Sequence, residues 1–498
     1  MIPLFATAVA WSLTFFLVGL LAYKILRRQW DLMSFNTLLL VGFIQFFSLP
    51  ILLFSMSDVT QLITYFIASD ADWNMLALMM LLYVAVALAA YRFGRRFEFG
   101  RKYLPQVNLP VSYGGIIIVL GVTLVGIAIT IPAGFTSYLF FAALMFRPAF
   151  IAFAAGLATV LVIKQPRNLG FWAVFLFILV AGLLISMSFN YGRRDPLGIF
   201  LAIVWVGYWM WLRYKPMSRQ IGIGAIGTSI ILVFLVGYSA IRGDSAAADS
   251  DVNTRIKQIS QLFTGQKQAF DVSNFLMIFY QDSALNSAYA ISAYPQSYPL
   301  MPFHGAFYFI VNPIPRILWE DKPVGIGNIF QIQLKTGGNL GVGIIAHGWV
   351  EGLALGVAAY AAFFGLMSGM LDGHLRRHSN NPYLIAAAGT GLGHVLAMPR
   401  GETSLMTVLW AYGFMGVIVV LFFSKLVFGE VMKALGPFGF GSDDPANAEG
   451  VAAIDAMATD GSAPHRAQDQ FEEQTDYGDE EFLAHRDQHD HPTDKTPA

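Results

Sequence analysis

Between Ile2 and Phe428 the sequence returns repeatedly to apolar runs of about 20 residues, the length an α-helix needs to cross a bilayer's hydrocarbon core. Inside lipid every backbone N–H and C=O must be satisfied within its own segment, so such runs dictate helices and leave no place for an open sheet. The expected spans are Ile2–Tyr23, Met33–Phe54, Trp73–Tyr91, Val111–Ile131, Ala149–Ile163, Leu169–Phe189, Pro196–Leu212, Ile221–Ile241, Gly341–Gly369, Tyr383–Met398 and Ser404–Phe428, about eleven in all. An all-α polytopic membrane protein follows. Composition agrees: 13% of the 498 residues are charged, where a soluble chain carries about a quarter, which excludes a string of soluble domains. Cysteine is absent, which removes disulfides and thiolate metal sites. The first run lacks a basic leader and a small-residue cleavage site, and reads as a retained span instead of a signal peptide.

The net charge of −1 conceals an asymmetry. Residues 441–498 hold fifteen acidic and three basic side chains, leaving 28 basic against 17 acidic elsewhere, near +11. That tail has too few large apolar residues to fold alone and is expected to be disordered. Four regions result: 1–241 with spans one to eight, a long loop at 242–340, 341–428 with spans nine to eleven, and the acidic tail 429–498.

Basic residues orient the spans. Lys24, Arg27 and Arg28 follow the first, and Arg92, Arg95, Arg96, Arg101 and Lys102 the third. Lys164 and Arg167 follow the fifth, Arg213, Lys215 and Arg219 the seventh, and Arg376 and Arg377 the ninth. These loops fall on one side, expected to be the cytoplasm, which puts the tail inside and the 242–340 loop outside. In that loop Ser245–Asp251 reads as a linker, Val252–Phe263 as an amphipathic segment on the membrane, Val272–Tyr280 as a short apolar patch, and Ala290–Phe303 as an irregular aromatic loop.

Arginines on the outer side run against the charge bias. They are Arg147, Arg193 and Arg194 in NYGRRDP, Arg242 in IRGD, Arg255, Arg316 in NPIPRILWEDKP, and Arg400 in MPRGE. Each alone is equally a side chain snorkelling to headgroups. As a set they read as one anion site, because a guanidinium offers a planar fork that matches phosphate oxygens. The prolines of Asn312–Pro323 hold that stretch turned or extended. Lys322 within it reads as a further phosphate contact or as a surface charge.

An intramembrane carboxylate is a functional candidate by default, and Glu351 in HGWVEGLALG lies one helical turn from His347. The pair reads as a base with its orienting partner, or as a purely structural pair. Glu402 beside Arg400 reads as a local ion pair, Glu320 and Asp321 as solvated, and His304 and His394 as structural hydrogen-bonders. Tyr298, Tyr308 and Trp319 have rings suited to stacking on sugars, although interfacial anchoring explains most loop aromatics. Asp70-Ala71-Asp72 matches a D-x-D pattern but equally caps a helix. No Walker loop is present, no His/Asp/Glu spacing suits a metal, and neither a cofactor nor a nucleic-acid partner is expected.

NPIPRILWEDKP resembles the proline–arginine–tryptophan–lysine–proline segment of bacterial oligosaccharide repeat-unit polymerases, the O-antigen polymerases, which are related to O-antigen ligases. Arg316 to Gly327 is similar to the arginine, ten residues, glycine pattern of their outer loops. NYGRRDP, IRGD, the Glu351 segment ending in Gly356, and MPRGE look like corresponding positions, so the resemblance covers about Phe189 to Val408. It implies a helical membrane-glycosyltransferase fold in the bacterial inner membrane, working on the periplasmic face without a metal. The implied substrates are undecaprenyl-diphosphate-linked oligosaccharides, with a chain-length regulator and a flippase as implied partners. Carried over residue by residue, Arg193, Arg194, Arg242, Arg316 and Arg400 would bind the diphosphate. Glu351, with Arg316 and His347, would serve the reacting atoms. The alternatives are a ligase acting on another acceptor and a flippase. The absence of a repeated half and of charges gathered at mid-membrane favours an enzyme over a flippase.

Overall fold

In the computed structural model of the chain, the described residues are 2–27, 32–56, 66–97, 109–133, 140–189, 192–242, 281–336 and 340–435, with isolated positions between 257 and 279. Among them there are helices and no strands, and ten helices are long and apolar enough to cross a membrane. Met1–Phe428 form one compact unit; Gly429–Ala498 form a second, described only for the last turns of the final helix. The acidic tail beyond 435, Arg255, and nearly all of the expected amphipathic segment and apolar patch lie outside the described residues.

The first eight long helices are α1 Leu4–Leu26, α2 Phe35–Met56, α3 Asp70–Arg96, α4 Tyr113–Ala133, α5 Phe140–Lys164, α6 Leu169–Phe189, α7 Arg194–Met210 and α8 Met217–Arg242. Three short helices follow: α9 Ser283–Ala293, α10 His304–Val311 and α11 Ile326–Leu334. Then come α12 Ile344–Arg377, the short pair α13 Pro382–Ala388 and α14 Leu392–Ala397, and α15 Thr403–Leu435.

Ten expected spans therefore correspond to long helices, and the Tyr383–Met398 span does not. It is two short helices parted at Gly389–Gly391, where Gly391 takes φ +69°. A left-handed residue cannot continue a right-handed helix, so an apolar run of sufficient length is broken in the middle. The expected loop Ala290–Phe303 is helical at its start, as the end of α9.

Caps set the helix ends. Ser69 and Asp72 exchange side-chain and backbone bonds in a capping box at the start of α3, with Ser69 N–H donating to Asp72 Oδ2 at 2.8 Å. The D-x-D pattern is thus a helix start. At α2 a local cap, Ser34 Oγ accepting from Thr37 N at 3.1 Å, is joined by a tertiary one: fully buried Asp372 on α12 accepts from Phe35 N at 2.9 Å and Asn36 N at 3.3 Å. A carboxylate on those free N–H groups satisfies them and complements the helix dipole. Asp372→Ala is expected to cost about 1.5–3 kcal/mol, the worth of hydrogen bonds to a charged group, read as a lower unfolding temperature of the purified protein.

Residues 151–162 of α5 are all buried, which makes this helix part of the core's centre. Along α3 and α12 the backbones touch. Added Cβ atoms on Gly365 and Gly369 would lie 3.0 Å from Ala87 Cα and 2.9 Å from Arg95 N, so only glycine permits this approach. α6 and α8 are mostly exposed, with Leu169, Phe177, Val180 and Ile226 outward, as helices facing lipid would be.

α12 is not one straight rod. Gly352 is extended at φ −172° and Leu353 takes φ 55°, so residues 344–351 form a separate first arm. That arm folds back on the second: an added Cβ on Gly348 would lie 2.6 Å from the backbone of Val357. This reversal builds the site.

Candidate functional site

His347 and Glu351 occupy one face of the first arm, as their spacing predicts. The reversal sets the His347 ring 6.0 Å from that of Tyr360 on the second arm. Glu351 Oε1 accepts from the Tyr360 hydroxyl at 2.7 Å and from Gly305 N, at the start of α10, at 2.9 Å. A Cβ at Gly305 would meet Ser404 Oγ, the Tyr360 hydroxyl and Glu351 Oε1, so these side-chain ends would have to shift to admit one. His347 is fully buried, with Nδ1 4.0 Å from Glu351 Oε1 and Nε2 3.0 Å from Glu402 Oε1. The Glu351 and Glu402 side chains retain 10% and 11% exposure, so both carboxylates, unlike the imidazole, can reach a ligand.

Glu402 is not the local partner of Arg400. The turn between α14 and α15 points the two side chains apart. Glu402 Oε2 accepts from Gly327 N at 2.5 Å, at the N-terminus of α11, where free N–H groups favour an anion. Burial raises its proton affinity, but His347 and the N–H groups of Gly327 and Ile326 outweigh that and hold the carboxyl below the ordinary range. Arg400 Nη2 lies 3.5 Å from Asp282 Oδ1, both about a quarter exposed, and Asp282 Oδ2 accepts from Gly341 N at 2.8 Å.

The remaining expected residues divide. Tyr308 on α10 adjoins the cluster: burial and the Glu402 charge push its phenol up to about 12, against the pull of Asn312 and Arg316. Arg316 is exposed and donates to Glu320 O at 3.0 Å, and no carboxylate among the described residues pairs with its fork. Trp319 is half-buried with its ring edge-on to Phe307 at 6.3 Å. Tyr298 packs on Tyr294 at 5.6 Å, in a tyrosine group with Tyr289. Lys322 donates to Asn312 O and Ile314 O, both at 2.8 Å, which closes the NPIPRILWEDKP loop on itself. It is thus not a bare surface charge. His304 Nε2 lies 2.8 Å from Val324 O and is structural, as expected.

Arg193 and Arg194 stand at the N-terminus of α7, in a second buried charged group. His394 Nε2 is 3.6 Å from Asp195 Oδ1, Arg147 feels the Asp195 charge, and Arg194 Nη1 approaches Met406 Sδ at 2.8 Å. Met406 lies one turn of α15 beyond Glu402, so the two groups share a helix start. Arg242 ends α8, and its side chain lies outside the described residues.

The described arginines have different neighbours, Asp282 for Arg400, the Glu320 carbonyl for Arg316 and Met406 for Arg194, and do not close on one point. The sequence does not show Tyr360, Gly305 or the true partners of Glu402. An acid just before a helix signals Glu402's place but not its partner, and nothing in sequence signals Tyr360 or Gly305. Among the described residues no three His, Asp or Glu side chains form a metal-ligand group. No protein-family model, curated protein or solved structure matches this chain.

Proposed function

We propose that the chain polymerises lipid-linked oligosaccharide units at the periplasmic face of a bacterial inner membrane. Glycan would pass from undecaprenyl diphosphate to a sugar hydroxyl of another lipid-linked unit. The observation that carries this reading is the Glu351 carboxylate: partly exposed, held through Oε1 alone, and built from the segments that carry the family resemblance. Its Oε2 is the atom that would meet the acceptor hydroxyl.

In the transfer, the acceptor oxygen bonds to the anomeric carbon as the bond from that carbon to the diphosphate oxygen breaks. The electron pair leaves with the diphosphate, and the hydroxyl proton goes to Glu351. Charge developing on the leaving group calls for fixed cations, the part assigned to Arg316, Arg400, Arg193, Arg194 and Arg242. Arg316 and Arg400 come from segments that adjoin the cluster, and Arg316 presents an exposed fork.

The test is the purified full-length protein in liposomes with the lipid-linked unit, without metal or nucleotide sugar, and product length read by mass spectrometry. Extension supports the reading. No extension with the cognate unit overturns it, and transfer only to a different acceptor would make the chain a ligase. In the same assay Arg316→Lys is expected to cut the rate about 10-fold or more, since losing the fork forfeits a charge-assisted contact worth about 1.5–3 kcal/mol. A rate near wild type would remove Arg316 from the phosphate site.

A further inference from the structure

Glu402 has no part in the transfer step above, yet three elements meet at it. Gly327 N–H of α11 donates to Oε2 at 2.5 Å, His347 Nε2 on the first arm of α12 faces Oε1 at 3.0 Å, and its own carbonyl accepts Met406 N–H of α15 at 2.9 Å. Thr403 N–H also points at Nε2, at 3.1 Å. A ring nitrogen holds either one hydrogen or one lone pair, so one of these contacts governs. A lone pair facing an anionic oxygen at 3.0 Å is repulsive, and the N–H groups of α11 keep Glu402 anionic. The Glu402 charge therefore favours a hydrogen on Nε2, although the 3.0 Å contact to Oε1 is not aligned as a hydrogen bond and Thr403 N–H competes for the same nitrogen.

We propose that Glu402 is a positioning residue for Glu351, acting through His347. A carboxylate beside one ring nitrogen fixes the orientation of the ring, and with it the direction of the other nitrogen. Here the other is Nδ1, which faces Glu351. The same carboxylate ties the N-terminus of α11, and with it the end of the 312–327 segment that carries Arg316, to the carboxylate cluster. Base and diphosphate contact are thereby set in one frame.

This inference rests on the transfer reading for its kinetic arm but not for its spectroscopic one. The full-length protein, labelled with ¹⁵N-histidine in liposomes, is compared as wild type, Glu402→Gln and Glu402→Asp, with the His347 signals assigned by His347→Gln. In Glu402→Gln the amide oxygen still accepts from Gly327 N–H, so the fold persists while the charge is lost. The His347 Nε2 resonance is expected to shift. The extension kcat should fall about 100-fold, as a small misplacement of a catalytic group would cause, with KM little changed. Glu402→Asp should recover part of both.

An unshifted Nε2 resonance, or a wild-type kcat in Glu402→Gln, overturns the proposal. Should Glu402→Gln fail to fold, Glu402→Asp decides alone: a partial shift with reduced kcat supports the proposal, and wild-type values of both overturn it. If wild type extends no lipid-linked unit, the transfer reading fails, and the resonance by itself decides whether Glu402 holds His347.

Discussion

Glu351→Gln is expected to lower the rate of repeat-unit extension by about 1,000-fold, in the range that general-base catalysis supplies, while the protein stays folded. The prediction is sharp because the two effects separate at the atoms. Glu351 Oε1 accepts two hydrogen bonds, from Tyr360 and Gly305, and a glutamine oxygen accepts both. What glutamine cannot do is take a proton from an acceptor hydroxyl. Extension assays on liposomes, paired with thermal unfolding of the same preparation, check the two halves. A Gln variant that still extends lipid-linked units would leave Glu351 as a structural link between α10 and α12. A variant that unfolds would make its loss of activity uninformative, and Glu351→Asp, which keeps the proton acceptor, would then have to retain measurable extension.

The spans were legible because lipid imposes a simple rule on length and polarity, and ten long helices stand where apolar runs stand. Hydropathy fails at Tyr383–Met398, because it does not register the left-handed residue Gly391 that parts α13 from α14. It fails in the same way inside α12, where Gly352 and Leu353 are apolar enough to pass as mid-helix. The pair His347–Glu351 was legible, since its contact is set by helical spacing. Glu402 was misread for the opposite reason: its neighbour Arg400 is close in sequence, and its partners His347 and Gly327 are 55 and 75 residues away, joined only by tertiary packing. Lys322 shows that a cation in a proline-rich loop can be held by the loop's own carbonyls. Burial and the neighbouring Arg316 charge both disfavour its protonated form, and the two carbonyls answer that cost.

The site's geometry depends on how closely the two arms of α12 approach, and glycine substitutions can test that dependence. Gly356 meets the backbone of Gly348, so that a Cβ at 356 would run into the Gly348 carbonyl. Gly356→Ala must push the first arm away, and it carries His347 and Glu351 with it. The expected result is a loss of about 1–3 kcal/mol from overpacking. A fall in extension of about 100-fold should accompany it, as a displacement near 1 Å at the reacting group produces. Gly352, four residues nearer the turn itself, is the control. Its φ of −172° is extended backbone open to any residue, and a Cβ there meets nothing within 4 Å. Gly352→Ala should therefore keep near-wild-type stability and rate. If both alanine variants behave alike, the contact between the arms does not set the position of Glu351, and the reversal at 352–353 is only a joint in the chain. If Gly356→Ala alone loses activity while retaining most of its stability, the kink is what places a carboxylate, an imidazole and a tyrosine from one helix around one point.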